Sequence, residues 1–400
     1  MLRKVAGFGL VPFLALAAPF FLLPIIALRA DAGEWTAIAL GQSAGAFAGT
    51  VVTYGWNLSG PVQLSGSNGE RQRALWWEFL ASSFLLWIGC AVLQAAALLL
   101  VLGGQDFVLG YAVALSLSAV GLTPAWFAVG VGRPSILLFW SAAPRLVSIV
   151  LAAFAILATH QLMWYPALLL GATLLGVLGF SVKTFRGHTR PAVPRGDVRA
   201  RFAANGSVAA STIVSSSYSA GFLFFVGLAA PGALSVGLAS CDRLFRFANQ
   251  AVSTLSNALQ AWVLEHDGPR GVRRRRSSVV AHIALGITGF LGFALLGPSV
   301  TSLLFGEDFA STYVVSIFFG LAFLAVSVSS VVIKHLMVPA RLTRQILLAT
   351  LVGAIAGIAM ILSVARTSED AGAAFSYLVA EGMVALVLSI AYARHVRRMA

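Results

Sequence analysis

Charged residues make up only 10% of this 400-residue chain, so those set within apolar sequence are the first candidates for chemistry. The densest group lies in the segment 232–262, GALSVGLASCDRLFRFANQAVSTLSNALQAW. At helical periodicity Asp242, Arg243, Arg246, Asn249, Gln250, Ser253, Thr254, Ser256, Asn257 and Gln260 fall within one arc of about 160°. Leu244, Phe245, Phe247, Val252, Leu255 and Trp262 occupy the opposite arc. Inside a bilayer such a stripe has to face protein or a water-filled cavity, because lipid leaves its polar groups unsatisfied. Asp242 and Arg246, four residues apart, can neutralise each other as packing glue. Arg243 still adds a positive charge, so the stripe reads as the cationic wall of a cavity that suits an anionic cargo.

Other segments carry weaker patterns. Gln42, Gly45, Ala46, Gly49, Thr50, Thr53, Trp56 and Asn57 share one face of a second apolar segment. That face serves either as a polar wall or as a glycine seam for close helix packing. Ser207, Ser211, Ser215 and Tyr218 share a face further on, with interhelical hydrogen bonding as the alternative. Arg145, preceded by Pro144, either snorkels to the membrane interface or points into the cavity. Glu381 is the most deeply placed carboxylate besides Asp242. Isolated in a low dielectric it can take up a proton, or it can hydrogen-bond a neighbouring helix. Asp242 and Glu381 are therefore the ion-coupling candidates, whereas Glu78 reads as an interfacial charge.

The elements that hold these residues follow from composition. With 59% hydrophobic residues and a mean hydropathy of +0.89, the chain has too little charge to cover a soluble surface. It reads as an all-α polytopic membrane protein, which excludes a cytosolic enzyme, a nucleic-acid-binding module and a secreted disulfide scaffold. Its two cysteines, Cys90 and Cys241, lie in apolar runs and offer neither a disulfide framework nor a metal cluster. A bilayer core needs about 20 apolar residues per helix. On that measure twelve spans are expected, near 9–28, 36–57, 76–101, 107–128, 136–158, 162–182, 206–229, 233–262, 279–297, 313–333, 345–365 and 371–393. The first exceeds the apolar core of a signal peptide and carries Pro12, Pro19 and Pro24, so it reads as a retained, bent helix. Trp35, Trp56, Trp76, Trp77, Trp126, Trp164 and Trp262 fall near span ends, where indoles favour the headgroup level.

With the N-terminus inside, 22 of the 27 basic residues fall in inner loops and tails. Acidic residues such as Asp31, Glu34, Asp106, Glu307 and Asp308 gather outside. This asymmetry places both termini in the cytoplasm of a cell inner membrane and explains the net charge of +13 without nucleic acid. The run Arg273 to Arg276 suits anionic lipid headgroups. A polar stretch at 183–201 divides an N-lobe, 1–182, from a C-lobe, 202–400, each of six spans and related as parallel repeats. Outer loops are short, and no Walker, Ser-His-Asp or His-x-x-x-His pattern occurs. Neither an enzyme, nor a cofactor, nor a metal is expected.

Three stretches, GFGLVPFLALAAPFFLLPII, GQSAGAFAGTVVTYGWNLSGP and LLFGEDF, resemble polysaccharide flippases of the MOP exporter superfamily. Within it they look like the Wzx-type exporters of bacterial surface polysaccharide units. The resemblance implies two six-helix lobes that alternate between inward-open and outward-open states. It implies a polyprenyl-diphosphate-linked oligosaccharide as cargo, used in lipopolysaccharide or related polysaccharide biosynthesis, with polysaccharide polymerase machinery as a partner. Coupling in the superfamily is to proton or sodium gradients or to membrane potential. The resemblance also implies Arg145, Arg243 and Arg246 as diphosphate contacts, because guanidinium forks bind phosphate oxygens bidentately. Asn249, Gln250, Asn257, Gln42 and Asn57 complete the expected substrate-binding set. Fourteen-span lipid II flippases carry two helices more than this chain, which counts against a peptidoglycan precursor. The runner-up is a cation-coupled multidrug exporter of the same fold, which would present Asp242, Glu381 and Trp56 to its cargo.

Overall fold

The computed structural model describes residues 22–64, 67–104, 106–186, 195–229, 234–264, 268–340, 342–364 and 369–399. All their regular elements are helical. After a helical turn at 22–27 come α1 (Ala32–Thr53), α2 (Trp56–Leu64), α3 (Gly69–Leu102), α4 (Phe107–Ala119) and α5 (Ala125–Gly130). Next are α6 (Pro134–Leu137), α7 (Ala143–Thr159), α8 (Trp164–Phe185), α9 (Arg195–Tyr218) and α10 (Phe222–Ala229). The last five are α11 (Val236–Leu264), α12 (Gly268–Phe305), α13 (Tyr313–Val331), α14 (Thr343–Val364) and α15 (Glu369–Met399). They form two compact units, Met1–Phe224 and Phe225–Ala400. Residues 187–194 of the expected linker and most of the first span lie outside the described residues, and the linker's remaining residues belong to the end of α8 and the start of α9.

Among the described residues eight segments are long and apolar enough to cross a membrane, and the bent pair α9–α10 makes a ninth. The helices α1 and α11 stand at the second and eighth expected spans. Two expected boundaries move. The third span begins at Gly69, not 76, so Glu78 lies more than two turns inside α3 and is buried, not interfacial. The ninth begins at Gly268, which draws Arg270 and Arg273 to Arg276 into the first turns of α12.

In unit 1, Asp31 starts α1 with a capping box: its carboxylate accepts from the Glu34 N–H, and Glu34 accepts from the Asp31 N–H. Gly41 and Gly45 of α1 then press on the α4 backbone, a Cβ at Gly45 lying 2.7 Å from the Ala114 oxygen. Tyr54 (φ 45°) and Gly55 (φ 76°) are both left-handed and end α1 abruptly. The expected span 36–57 is thus broken, and the break turns Trp56 away from the α1 face. Trp56 packs against Phe79 and Trp126, centroids 5.7 and 4.9 Å away, in a cluster with Trp76, Phe127 and Phe180. Trp35, Trp56, Trp76 and Trp126 are at most 3% exposed and are core residues, correcting their reading as headgroup anchors. Their ring area is better spent in mutual packing than at an interface.

Pro144 explains the one irregular stretch ahead of Arg145. It lacks an N–H and its ring crowds the carbonyl four residues back, that of Trp140. The helix widens into a π turn over Leu138–Ala142. The Trp140 carbonyl abuts Gly176 of α8, where a Cβ would lie 2.6 Å from its oxygen, and the indole covers Gly179.

In unit 2, α12 packs on α13 through Gly286, Gly289, Gly297 and Gly320, and α14 on α15 through Gly353 and Gly357. A second π turn, Val332–Met337, continues α13.

Candidate cargo site

The end of α1 and its left-handed break, the segment 117–125, Arg145 of α7 and Thr212 of α9 line an open cavity of about 410 Å³ within unit 1. Its polar lining is Thr50, Thr53, Asn57, Thr123, Arg145 and Thr212, interspersed with Ala46, Gly49, Gly55 and Gly121. Thr50 reaches Ser216 of α9 at 3.0 Å, and Ser43 bridges the Ala220 carbonyl and the Phe224 N–H across the bend between α9 and α10. These bonds fix the wall that carries Thr212. Arg145 is partly buried, and its Nε is buried without a hydrogen-bond partner among the described residues. A guanidinium held so beside four threonine side chains is equipped to bind an oxyanion and neighbouring hydroxyls.

The α1 face therefore serves both readings left open for it. Gly41 and Gly45 form the packing seam, while Ala46, Gly49, Thr50 and Thr53 line the cavity. Asn57 joins Arg145 there. Gln42 does not: its amide donates to the Tyr165 hydroxyl of α8 at 3.2 Å. Thr123 and Thr212 are lining residues that sequence reasoning missed. Thr212 adjoins the recognised serine face, of which Ser215 is described and the side chains of Ser207 and Ser211 lie outside the described ones.

In unit 2 the α11 stripe splits. Asp242 and Arg246 form the expected i,i+4 pair, Nε to Oδ2 at 2.6 Å, with side chains 3% and 33% exposed. Arg243 is buried, Asn249 and Gln250 are half-buried, and Ser253, Thr254 and Asn257 are exposed. Asn257 accepts from the Lys334 ammonium at 2.9 Å. Ser256, at one edge of the arc, packs into the core beside Phe245 and Val252 instead of facing a cavity. Glu381 of α15 is buried one turn from Tyr377, whose ring meets Phe245 and Phe319.

No family model matches the chain, and neither does any curated protein sequence. Solved structures do. The lipid II flippase MurJ, in an inward-closed conformation, superposes with a TM-score of 0.74 at 11% identity, over 96% of this chain and 87% of its own. The eukaryotic MATE transporter AtDTX14 gives 0.63 at 14% identity, over 97% and 94%. An inward-facing multidrug resistance MATE family transporter of the MOP superfamily gives 0.62 at 13%, over 96% and 95%. At such identities the likeness is one of architecture. The chain has the all-α, polytopic fold that MurJ and the MATE transporters share.

Proposed function

We propose that this chain is a flippase that moves a polyprenyl-diphosphate-linked oligosaccharide across the cytoplasmic membrane by alternating access, with both termini and the segment 183–201 in the cytoplasm. The observation that carries the reading is the unit 1 cavity, which Arg145 lines with four threonines, its Nε without a hydrogen-bond partner among the described residues. A cation with spare donors suits a diphosphate, and hydroxyl-bearing walls suit sugars. Within unit 2, Arg243, Arg246, Asn249, Gln250 and Asn257 are assigned to cargo binding, and in unit 1 Gln42 is assigned to support of the wall at Tyr165. Asp242 and Glu381 are assigned to ion coupling. A multidrug exporter needs aromatics and free carboxylates facing its cargo, and Trp56 is in the core while Asp242 is paired.

The test uses lipid extracts from a deletion strain, restored with the native chain, with Arg145→Ala, or with Arg243→Ala and Arg246→Ala together. Polyprenyl-diphosphate oligosaccharides are quantified, and their access to a probe outside the membrane is measured. Accumulation of probe-inaccessible intermediate, relieved by the native chain but not by the arginine variants, is expected. Unchanged pools on deletion would overturn the flippase and turn attention to drug susceptibility.

A further inference from the structure

Four residues of unit 2 close a ring that the cargo reading does not use. His282 of α12, His335 of the π turn Val332–Met337, Ser256 of α11 and Ser278 of α12 are all 0% exposed. The two imidazole centroids are 5.4 Å apart. Each serine serves both rings. Ser256 sets its hydroxyl 2.8 Å from His282 Nε2 and its carbonyl 3.0 Å from His335 Nε2. Ser278 sets its carbonyl 2.9 Å from His282 Nδ1 and its hydroxyl 2.5 Å from His335 Nδ1. A carbonyl can only accept, so His282 Nδ1 and His335 Nε2 carry the hydrogens, and the other two nitrogens accept from hydroxyls. All four nitrogens are satisfied with both rings neutral.

One further bond breaks this balance. Ser256 Oγ lies 2.7 Å from Ser330 Oγ of α13, which is half-buried. If His282 Nε2 gains a proton, the Ser256 hydroxyl can turn and donate to Ser330 instead. A proton on His335 Nδ1 would turn the Ser278 hydroxyl away with no second side-chain oxygen to receive it among the described residues. The charged group that acts on both rings is Lys334, their neighbour on the π turn, held by Asn257 at 2.9 Å. Besides Ser256, Ser278 and Ser330, Ser327 of α13 donates to the His282 carbonyl at 2.7 Å. Among the described residues no carboxylate, and no charged group of α14 or α15, hydrogen-bonds either ring.

We propose that His282, with His335 as its neutral partner, is a binding site for one proton, and that its occupancy shifts the π turn by repelling Lys334. The proton comes from water by a relay: Ser256 passes its hydrogen to His282 Nε2 and takes the Ser330 hydrogen, which is left pointing at Ser330, and Ser330 takes one from water. The repulsion between neighbouring imidazoliums and from Lys334 limits the site to one proton. The proposal rests on the transport reading only for its use, as the ion that drives the cycle.

The test is imidazole nitrogen NMR on the full chain, labelled at histidine and held in lipid nanodiscs, from pH 8 to pH 5. His282 is expected to pass from the Nδ1–H tautomer to the imidazolium while His335 stays Nε2–H, and His282→Gln removes that titration. Lys334→Met is expected to raise the proton affinity by about tenfold. If His282→Gln does not fold, Ser330→Ala keeps the ring, removes the acceptor and must lower the midpoint. Two neutral rings throughout, two rings titrating together, or a midpoint unmoved by both Lys334→Met and Ser330→Ala would each overturn the site. No cargo is present in this experiment, so its failure leaves the flippase reading standing, and the reverse also holds.

Discussion

Replacing Arg145 by Met separates a cargo-binding arginine from a structural one, because the two roles predict opposite changes in stability. The guanidinium Nε is buried with no hydrogen-bond partner among the described residues, and an orphaned donor of this kind costs about 1–3 kcal/mol. Methionine keeps most of the aliphatic stem and removes the orphan, so the empty protein is expected to be as stable as the native one or more so. The bound state loses its charge-assisted fork. Two such bonds to phosphate, at the low end of about 1.5 kcal/mol each, give about 3 kcal/mol, or roughly a hundredfold in affinity. The assay is binding of a polyprenyl diphosphate to the chain in nanodiscs, paired with thermal unfolding of the same samples. Arg145→Lys keeps the charge but not the fork and is expected to fall between the two. A Met variant that binds within threefold of the native affinity, or one that loses clear stability, would refute the assignment of Arg145 to cargo.

Three other perturbations test the supports of the site. Gly176→Ala sets a Cβ 2.6 Å from the Trp140 oxygen, so α7 and α8 must part, at a cost of about 1–3 kcal/mol; unchanged unfolding would show that the π turn does not lean on α8. Removing Arg246 alone leaves Asp242 buried and unneutralised, with side-chain exposure of 3%. The Asp242→Asn, Arg246→Gln pair is therefore expected to be more stable than Arg246→Gln, with a coupling of about 1 kcal/mol in a double-mutant cycle because Arg246 is a third exposed. At the start of α4, outside the spans, burial and then the nearby Asp31 charge hold the Asp106 carboxyl above its usual range. A raised carboxyl pKa means that the folded state binds more protons than the unfolded one just above the ordinary aspartate range. Stability there falls as pH rises and recovers on acidification. Asp106→Asn is expected to flatten that slope, and an unchanged slope would exclude Asp106 as its source.

Much of the architecture was legible because bilayer thickness leaves few ways to arrange apolar sequence. Nearly every expected span has a helix at its place, and the i,i+4 spacing in α11 offered the Asp242–Arg246 pair as one of two readings, a pair that the structure forms. What was missed has a physical cause in each case. Tryptophans at span ends follow the same statistics whether they anchor in headgroups or stack on one another, and only the bend at Tyr54 and Gly55 decides for Trp56. Glu78 looked interfacial because hydropathy does not register the two polar turns with which α3 begins. Thr123 and Thr212 carry no charge and no period, and become wall residues only when α4, α7 and α9 are brought together.

The histidine ring was invisible for a further reason. His282 and His335 are 53 residues apart in sequence, and each reads alone as a polar lapse in an apolar run. A helix of constant period does not predict the face on which His335 sits, because it lies inside the π turn. The same holds for Arg145, three residues beyond the other π turn. A π turn inserts a residue into the helical count and rotates the residues beyond it by about 100° relative to a regular helix, which defeats periodicity where it matters most. In the first turn Pro144 supplies the cause and could have been read from sequence. Pro339 stands two residues beyond the second, Val332–Met337, as Pro144 does beyond the first, and its ring crowds the His335 carbonyl four residues back; side-chain bonds add to it. Ser256 and Ser278 hold His335, and Asn257 holds Lys334. Side-chain bonds to one titratable ring and one ammonium add a response to charge that a proline alone does not supply. The unit 1 irregularity thus sets Arg145 against the cavity, and the unit 2 irregularity brings a titratable ring and an ammonium onto one turn.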